Sequence, residues 1–294
     1  MDPMARILVT GGTGFIGRAL VEALRARGDD AVVVSRRPSA AEVGWDAIEG
    51  ELERTDAVVH LAGEPVAEGR WTQARLRSIR DSRVQTTERI ARAITRAARK
   101  PRTFVSGSAV GVYGMREDDR ELDESTEPGD DALARIAVDW EGAADAARDA
   151  GVRVVHPRTG VVLGRGGGAL ARMAAPYRWF VGGPIGSGRQ WVSWIHLRDT
   201  VRALLFALDR ESLSGPFNVV GPHPVRMEEL ARAIAAALGR PNAMRVPGLA
   251  LRIALGRGLA RVLLTGQRAL PRKLIDAGFV FDFPRIEQAC ADLL

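Results

Sequence analysis

Glycines at 11, 14 and 17 in the stretch RILVTGGTGFIG, residues 6–17, have the type and spacing of a phosphate cradle. A glycine in a tight turn takes positive φ, a second lets the backbone approach a ligand with no Cβ in the way, and a third lets the next helix pack on the strand. The free N–H groups around Gly11, Thr13, Gly14, Phe15 and Ile16, at the positive end of the helix dipole, suit a pyrophosphate. A second set stands at Ser35-Arg36-Arg37. An acid at the exit of the second strand would bind a ribose 2′-hydroxyl, whereas two guanidiniums and a hydroxyl suit a phosphate dianion. No acid stands there, which favours NADP(H) over NAD(H). The plainer alternative is two solvated surface arginines in an arginine-rich chain.

These residues require a strand before the glycines and a helix after them. The apolar run Ile7–Val9 and the amphipathic set Phe15, Ile16, Ala19, Leu20, Ala23 and Leu24 supply both. Further buried strands are expected at 31–35, 56–63, 102–106 and 152–156, with helices at 72–99 and 132–147 between them. The basic polar face of the 72–99 helix reads as solvated. Residues 157–164 are expected to leave the sheet. Alternating strands and helices predict right-handed crossovers in an α/β fold, a doubly wound parallel sheet of the NAD(P)-binding Rossmann type, with its ligand at the carboxyl ends of the strands. From Gly166 glycines surround Trp179, Trp191 and Trp194. A substrate-facing wall and plain core are both open for these tryptophans. A helix at 199–208, a last sheet strand at 217–220, a helix at 227–238 and a mostly helical tail from 241 complete the reading. The expected division is a cofactor-binding part at 4–165 plus about 199–221. A substrate-side part comprises 166–198 and 222–294, with a small C-terminal domain at about 240–294.

Composition narrows the function classes. The 294 residues, 46% of them hydrophobic, suffice for a large core, and no run of about 18 apolar residues or signal peptide stands out, which points to the cytoplasm. The single cysteine, Cys290, excludes a disulfide framework and reads as a packed thiol. Lysine and arginine total 42 against 36 acids, and only Lys100 and Lys273 are lysines. The positive charge is thus arginine spread along the chain, without the stripe and interleaved aromatics of a nucleic-acid binder. His60, His156, His196 and His223 are scattered with no ligand spacing, so no metal site is expected. Met1-Asp2-Pro3 precedes a second methionine, which makes Met4 the expected native start.

The blocks TGGTGFIG at 10–17, LAGEP at 61–65, RWTQARLRSIRDSR at 70–83, SGSAVGVYG at 106–114, GSGRQWVSWIH at 186–196 and GQRALPRKLIDAGFVFDFP at 266–284 identify a resemblance along essentially the whole chain. The chain resembles the epimerase-family proteins, atypical extended short-chain dehydrogenase/reductases with a C-terminal domain of unknown function of the DUF1731 kind. The resemblance implies that Leu61, Ala62 and Gly63 pass against the cofactor's ribose and pyrophosphate, with Glu64 and Arg83 beside them and His60 packed at the strand end. Ser108 matches the serine that orients a substrate oxygen, and Arg83 stands where many relatives carry an asparagine.

The same resemblance makes one absence informative. Catalysis in the superfamily uses a Tyr-x-x-x-Lys pair, in which the lysine lowers the tyrosine pKa so that the phenol exchanges a proton with a substrate oxygen. Four residues after Tyr113 stands Glu117 and four after Tyr177 stands Val181, while Leu133 and Ala137 occupy the pair's positions on the expected catalytic helix. Two functions therefore remain. One is an NADP(H)-dependent oxidoreductase or epimerase/dehydratase acting on a small carbonyl or sugar-nucleotide-like substrate. Its acid/base would come from Tyr113, Glu64, His196 or Arg83, with Ser108 on the substrate oxygen. The other is a non-catalytic NADP(H)-binding or sensing protein that acts through a partner. Monomer and homodimer are both open.

Overall fold

Ile7 and Val9 point to one side of the first strand and Leu8 to the other, and all three are buried, so both faces of that strand must be covered. The computed structural model describes residues 4–294 and meets that demand; the segment Met1-Asp2-Pro3 lies outside the described residues. The strands are β1 (Arg6–Thr10), β2 (Asp30–Ser35), β3 (Glu42–Gly44), β4 (Ala57–His60), β5 (Thr103–Ser106), β6 (Ser108–Ala109), β7 (Glu121–Leu122), β8 (Arg153–Thr159), β9 (Val161–Leu163), β10 (Trp191–Val192), β11 (Trp194–His196), β12 (Gly215–Val219), β13 (Val225–Arg226) and β14 (Arg268–Ala269). The helices are α1 (Phe15–Ala26), α2 (Ile48–Leu52), α3 (Gln73–Arg96), α4 (Ala132–Gly142), α5 (Asp145–Asp149), α6 (Gly168–Arg178), α7 (Leu197–Asp209), α8 (Met227–Leu238), α9 (Gly248–Leu264), α10 (Arg272–Asp276) and α11 (Ile286–Leu293).

The main sheet runs β12-β8-β5-β4-β1-β2-β3, with β6 added to β8, and every pairing in it is parallel. Leu20, Val21 and Leu24 of α1 and Val201, Ala203, Leu204 and Ala207 of α7 cover one face. Ile90, Ala91, Ala93 and Ile94 of α3, with Ala147 of α5 and Ala144 at its N-cap, cover the other. The strand order reverses between β1 and β4, which opens the crevice where a doubly wound sheet takes its ligand.

Two expected elements differ. Residues 157–159 stay in the sheet: Pro157, Arg158 and Thr159 pair with Phe217, Asn218 and Val219 of β12. Pro157 is tolerated because β8 meets β5 only as far as Val155 and meets β6 from Arg158 on. Its missing N–H thus falls at the break around Gly107. The helix expected at 132–147 is two helices, α4 and α5, parting after Gly142. A second core, built on Leu163, Leu170, Tyr177, Trp194, Leu230, Ile234, Ile286 and Cys290, joins α6, α8 and α11 outside the main sheet. The tail returns through β14, which pairs in parallel with β7. No described helix is long and apolar enough to cross a membrane.

Candidate functional site

Parallel register decides what meets at the carboxyl edge. Thr10 lies opposite Val34 on one side and His60 on the other, and His60 lies opposite Ser106. The glycine turn, Ser35-Arg36-Arg37, the Leu61–Glu64 loop and Ser108 therefore leave neighbouring strands at one edge.

The turn is built as its glycines demand. Gly11 has φ of +74°, and a Cβ on it would stand 2.7 Å from the backbone nitrogen of Ala62. A Cβ on Gly17 would collide with the carbonyl oxygen of Gly11, so the helix can sit this close to the turn only as glycine. Gly14 caps α1 with no side-chain hydrogen bond, which leaves the first-turn N–H groups of Phe15 and Ile16 for a ligand. The Phe15 ring is walled by backbone: a Cβ on Gly164, Gly167 or Gly168 would approach it to 2.8–2.9 Å. At the exit of β2 the Ser35 hydroxyl accepts from the Arg37 N–H at 3.3 Å. Arg36 and Arg37 are exposed and form no ion pair among the described residues. Backbone amides, an uncapped helix start and two free guanidiniums fit a dinucleotide carrying an extra phosphate.

Deeper in the crevice Glu64 accepts from Arg75 and, at 2.9 Å, from the Ser78 hydroxyl, so α3 already holds it. Arg83 lies against Gly63, where a Cβ would come within 3.0 Å of its guanidinium carbon, and over the Trp140 ring at 5.1 Å. No acid is within salt-bridge reach of Arg83 among the described residues. Burial, opposed by the charge of Glu64 and helped by that of Arg75, pulls its pKa down to about 10. His60 is fully buried between the Thr10 and Thr86 hydroxyls, and burial lowers its pKa to about 3.

Ser108 and Tyr113 are joined by residues that the sequence did not single out. The Ser108 hydroxyl donates to Glu141 at 2.6 Å, and Arg158 grips both Glu141 oxygens at 2.8 and 2.9 Å. Arg158 then donates to the Tyr113 oxygen at 3.2 Å, and the phenol donates to the Asn218 side chain at 2.8 Å. Tyr113 is fully buried and its pKa is raised, chiefly by burial. The Arg158 guanidinium and the Ser108 hydroxyl hold the Glu141 carboxyl below its ordinary range against its burial. The signal in the sequence was an arginine inside a buried strand, which needs an acid beside it.

Other candidates serve the fold. His196 accepts from the Arg198 N–H at 3.0 Å, capping α7, stacks on Phe283 at 3.8 Å and faces Asp292. Tyr177 donates within the second core, and burial raises its phenol to about 12. The tryptophans divide: Trp194 is core, Trp191 lies between the guanidiniums of Arg226 and Arg268, and Trp179 is 80% exposed. Cys290 is buried, its thiol pushed up to about 12. No cluster of three His, Cys, Asp or Glu side chains could hold a metal ion among the described residues.

A small cavity of about 160 Å³ lies beside Tyr113, Arg116, Asp131 and Arg261, where α9 roofs the carboxyl edge. A larger one, about 600 Å³, opens at the opposite edge among Arg27, Asp56, Arg102 and Arg153. Arg153 there is spent on the carbonyls of Ala207, Leu208, Arg210 and Leu213, and no group of the crevice reaches it.

Comparison with known proteins agrees with this geometry. The NAD dependent epimerase/dehydratase family matches residues 7–221, and a domain of unknown function, DUF1731, matches residues 246–293. The Mycobacterium leprae epimerase family protein ML0860 is 43% identical over 97% of this chain and 94% of its own length. The Bos taurus epimerase family protein SDR39U1 is 40% identical over 98% and 99%. The crystal structure of human SDR39U1 (isoform 2) with NADPH superposes with a TM-score of 0.92 at 38% identity, covering 98% of each chain.

Proposed function

Because this chain belongs to the NAD dependent epimerase/dehydratase family, we propose that it binds NADP(H) and is an atypical cytoplasmic oxidoreductase or epimerase/dehydratase acting on a small carbonyl or sugar-nucleotide-like molecule. Residues 4–165 with 199–221 form the cofactor part, and 166–198 with 222–294 the substrate side. The N–H groups of Thr13, Phe15 and Ile16 hold the pyrophosphate, and the Gly14 N–H, expected to join them, instead donates to the Gly11 carbonyl at 2.9 Å and closes the turn. Ser35, Arg36 and Arg37 hold the 2′-phosphate, and Leu61, Ala62 and Gly63 border the ribose. The cofactor supplies a hydride donor or acceptor when bound.

The observation that carries the reading is the pair Arg36 and Arg37, in no ion pair among the described residues and one strand away from the glycine turn. The human relative, crystallised with NADPH, supports it. For the chemistry we assign Arg83 to the substrate oxygen. It is a cation beside Gly63 with no ion-pair partner among the described residues and can stabilise developing negative charge where the tyrosine is missing. Ser108, whose proton is engaged by Glu141, offers its oxygen lone pairs to a substrate donor.

A second reading, a non-catalytic NADP(H) binder, is favoured by the internal engagement of Tyr113, Glu64 and His196. Titration with NADPH and NADH, then turnover of bound NADPH with a panel of aldehydes, ketones and nucleotide sugars, separates them. NADPH preference with oxidation that Arg83→Met abolishes supports the enzyme. NADPH binding with no oxidation across the panel favours the binder, and equal affinity for NADH defeats the cofactor assignment.

A further inference from the structure

Trp140 is 7% exposed and yet belongs to none of the apolar cores formed by the described residues. Its indole nitrogen is buried with no hydrogen-bond partner among the described residues. A buried donor left unmet is unfavourable, and an apolar side chain of similar size would fill the same space without one. Packing alone therefore does not account for a tryptophan at this position. Arg83 and the Gly107 backbone lie against the ring. The Arg83 guanidinium carbon stands over it at 5.1 Å, and a Cβ on Gly107 would come within 2.8 Å of its Cζ2 atom.

The guanidiniums over Trp191 also reach acids, Arg226 at Asp119 and Arg268 at Glu121. Arg83 has no acid within salt-bridge reach among the described residues. Its Nη1 donates to the Ile79 carbonyl at 3.1 Å and to the Ser82 hydroxyl at 3.4 Å, both on its own helix. Two walls stand in place of a carboxylate. One is the Gly63 backbone, where a Cβ would be 3.0 Å from the guanidinium carbon and 3.2 Å from Nη1, and the other is the Trp140 ring. The attraction of a cation for an indole face grows where water is scarce. It restrains the guanidinium and leaves its charge intact, whereas a carboxylate would restrain and neutralise it together. The next residue of α4 acts on the other substrate-side group: Glu141 accepts from the Ser108 hydroxyl at 2.6 Å.

We propose that Trp140 is a positioning residue, which holds the Arg83 guanidinium beside Gly63 with its charge available to an oxygen of the substrate. The inference rests on the assignment of Arg83 to that oxygen. A cation fixed before the substrate arrives stabilises developing negative charge with less reorganisation than a mobile one. A long side chain bonded only to its own helix keeps rotamer freedom that the ring removes. Trp140 acts through Arg83 and not on the substrate itself.

The test is nuclear magnetic resonance of the full chain carrying isotope-labelled arginine, read beside NADPH oxidation with the panel of aldehydes, ketones and nucleotide sugars. The Arg83 side-chain N–H signal, recognised by its loss in Arg83→Met, is expected upfield of arginines that face no ring, because it lies in the ring current of Trp140. Trp140→Leu returns it to their position. Trp140→Phe keeps a ring in the space and part of the displacement, and gives the same reading, reduced, if Trp140→Leu does not fold. Trp140→Leu is expected to lower kcat about tenfold with KM and NADPH affinity unchanged, and Trp140→Phe to recover most of it. An undisplaced Arg83 signal in the wild type, or one that neither variant moves, overturns the proposal. So does a Trp140→Leu effect confined to KM or to melting temperature. A displaced signal in a protein that oxidises no NADPH across the panel supports the hold on Arg83 and counts against the enzyme reading alone.

Discussion

Gly17 and the Arg36-Arg37 pair carry different loads, and their variants separate folding from ligand choice. Gly17→Ala puts a methyl group into the Gly11 carbonyl, and two backbones must part to admit it. The expected outcome is a loss of about 1–3 kcal/mol in denaturant unfolding together with lost NADPH binding. Gly28→Ala is the control: its φ is +92° but its Cβ meets nothing, so strain of about 1 kcal/mol is the whole cost and NADPH still binds. Arg36→Ala with Arg37→Ala leaves stability unchanged and lowers NADPH affinity by about 2–3 kcal/mol with NADH affinity constant, read by fluorescence titration. The glycine turn was legible in the sequence because each glycine answers a local steric demand. Glu141 and Arg158 were not, because nothing local couples residue 141 to residue 158.

Helix α4 is held at both ends by acids. Asp131 accepts from the N–H groups of Leu133 and Ala134 to cap it, and also from Met115. Glu141 near its far end ties it to Arg158 on β8. Glu141→Ala leaves a buried guanidinium unpaired and is expected to cost about 3–5 kcal/mol by chemical denaturation. The double change Glu141→Leu with Arg158→Met recovers most of that, because both charges leave together. Reading elements from the sequence succeeded where period was strong, as in α1, α7 and α8. It failed at residues 157–159, since a proline argues against a sheet interior unless one knows that β5 and β6 part opposite it. The single helix expected at 132–147 failed for a related reason: alanines carry the pattern on both sides of Gly142, and the break between α4 and α5 shows only in packing.

For the molecule as a whole, buried histidines set the response to acid. Burial lowers the pKa of His60 to about 3 from 6.5 and lowers those of His156 and His196 as well. A lowered folded value means that the unfolded chain takes up the proton first. Stability is thus full above the ordinary histidine value and falls as pH drops below it, by about 1.4 kcal/mol per pH unit for each histidine, until the folded value is reached. The Glu141 and Asp56 carboxyls, also lowered, add their loss at more acid pH by the same rule. Melting temperature is expected to fall steadily from about pH 7 to about pH 5, and His60→Asn to flatten that slope. The doubly wound parallel sheet was legible before any coordinates. The second core was not, since it arises from segments distant in sequence.

The pairing of β14 with β7 also bears on the order in which a nascent chain becomes competent. Strands β1, β2, β4 and β5 all precede residue 107, so the phosphate cradle can form while the rest is still being translated. The roof cannot. The Gln267 amide donates to the Gly114 carbonyl, the Ser193 hydroxyl to the Gln267 carbonyl, and the Asn218 amide to the Leu270 carbonyl, so residues synthesised last close loops made much earlier. Ile286, Ala289, Cys290 and Leu293 then complete the second core. A ribosome-bound chain stalled before residue 266 would leave Gly114, Ser193 and Asn218 without these partners and the second core without its last helix.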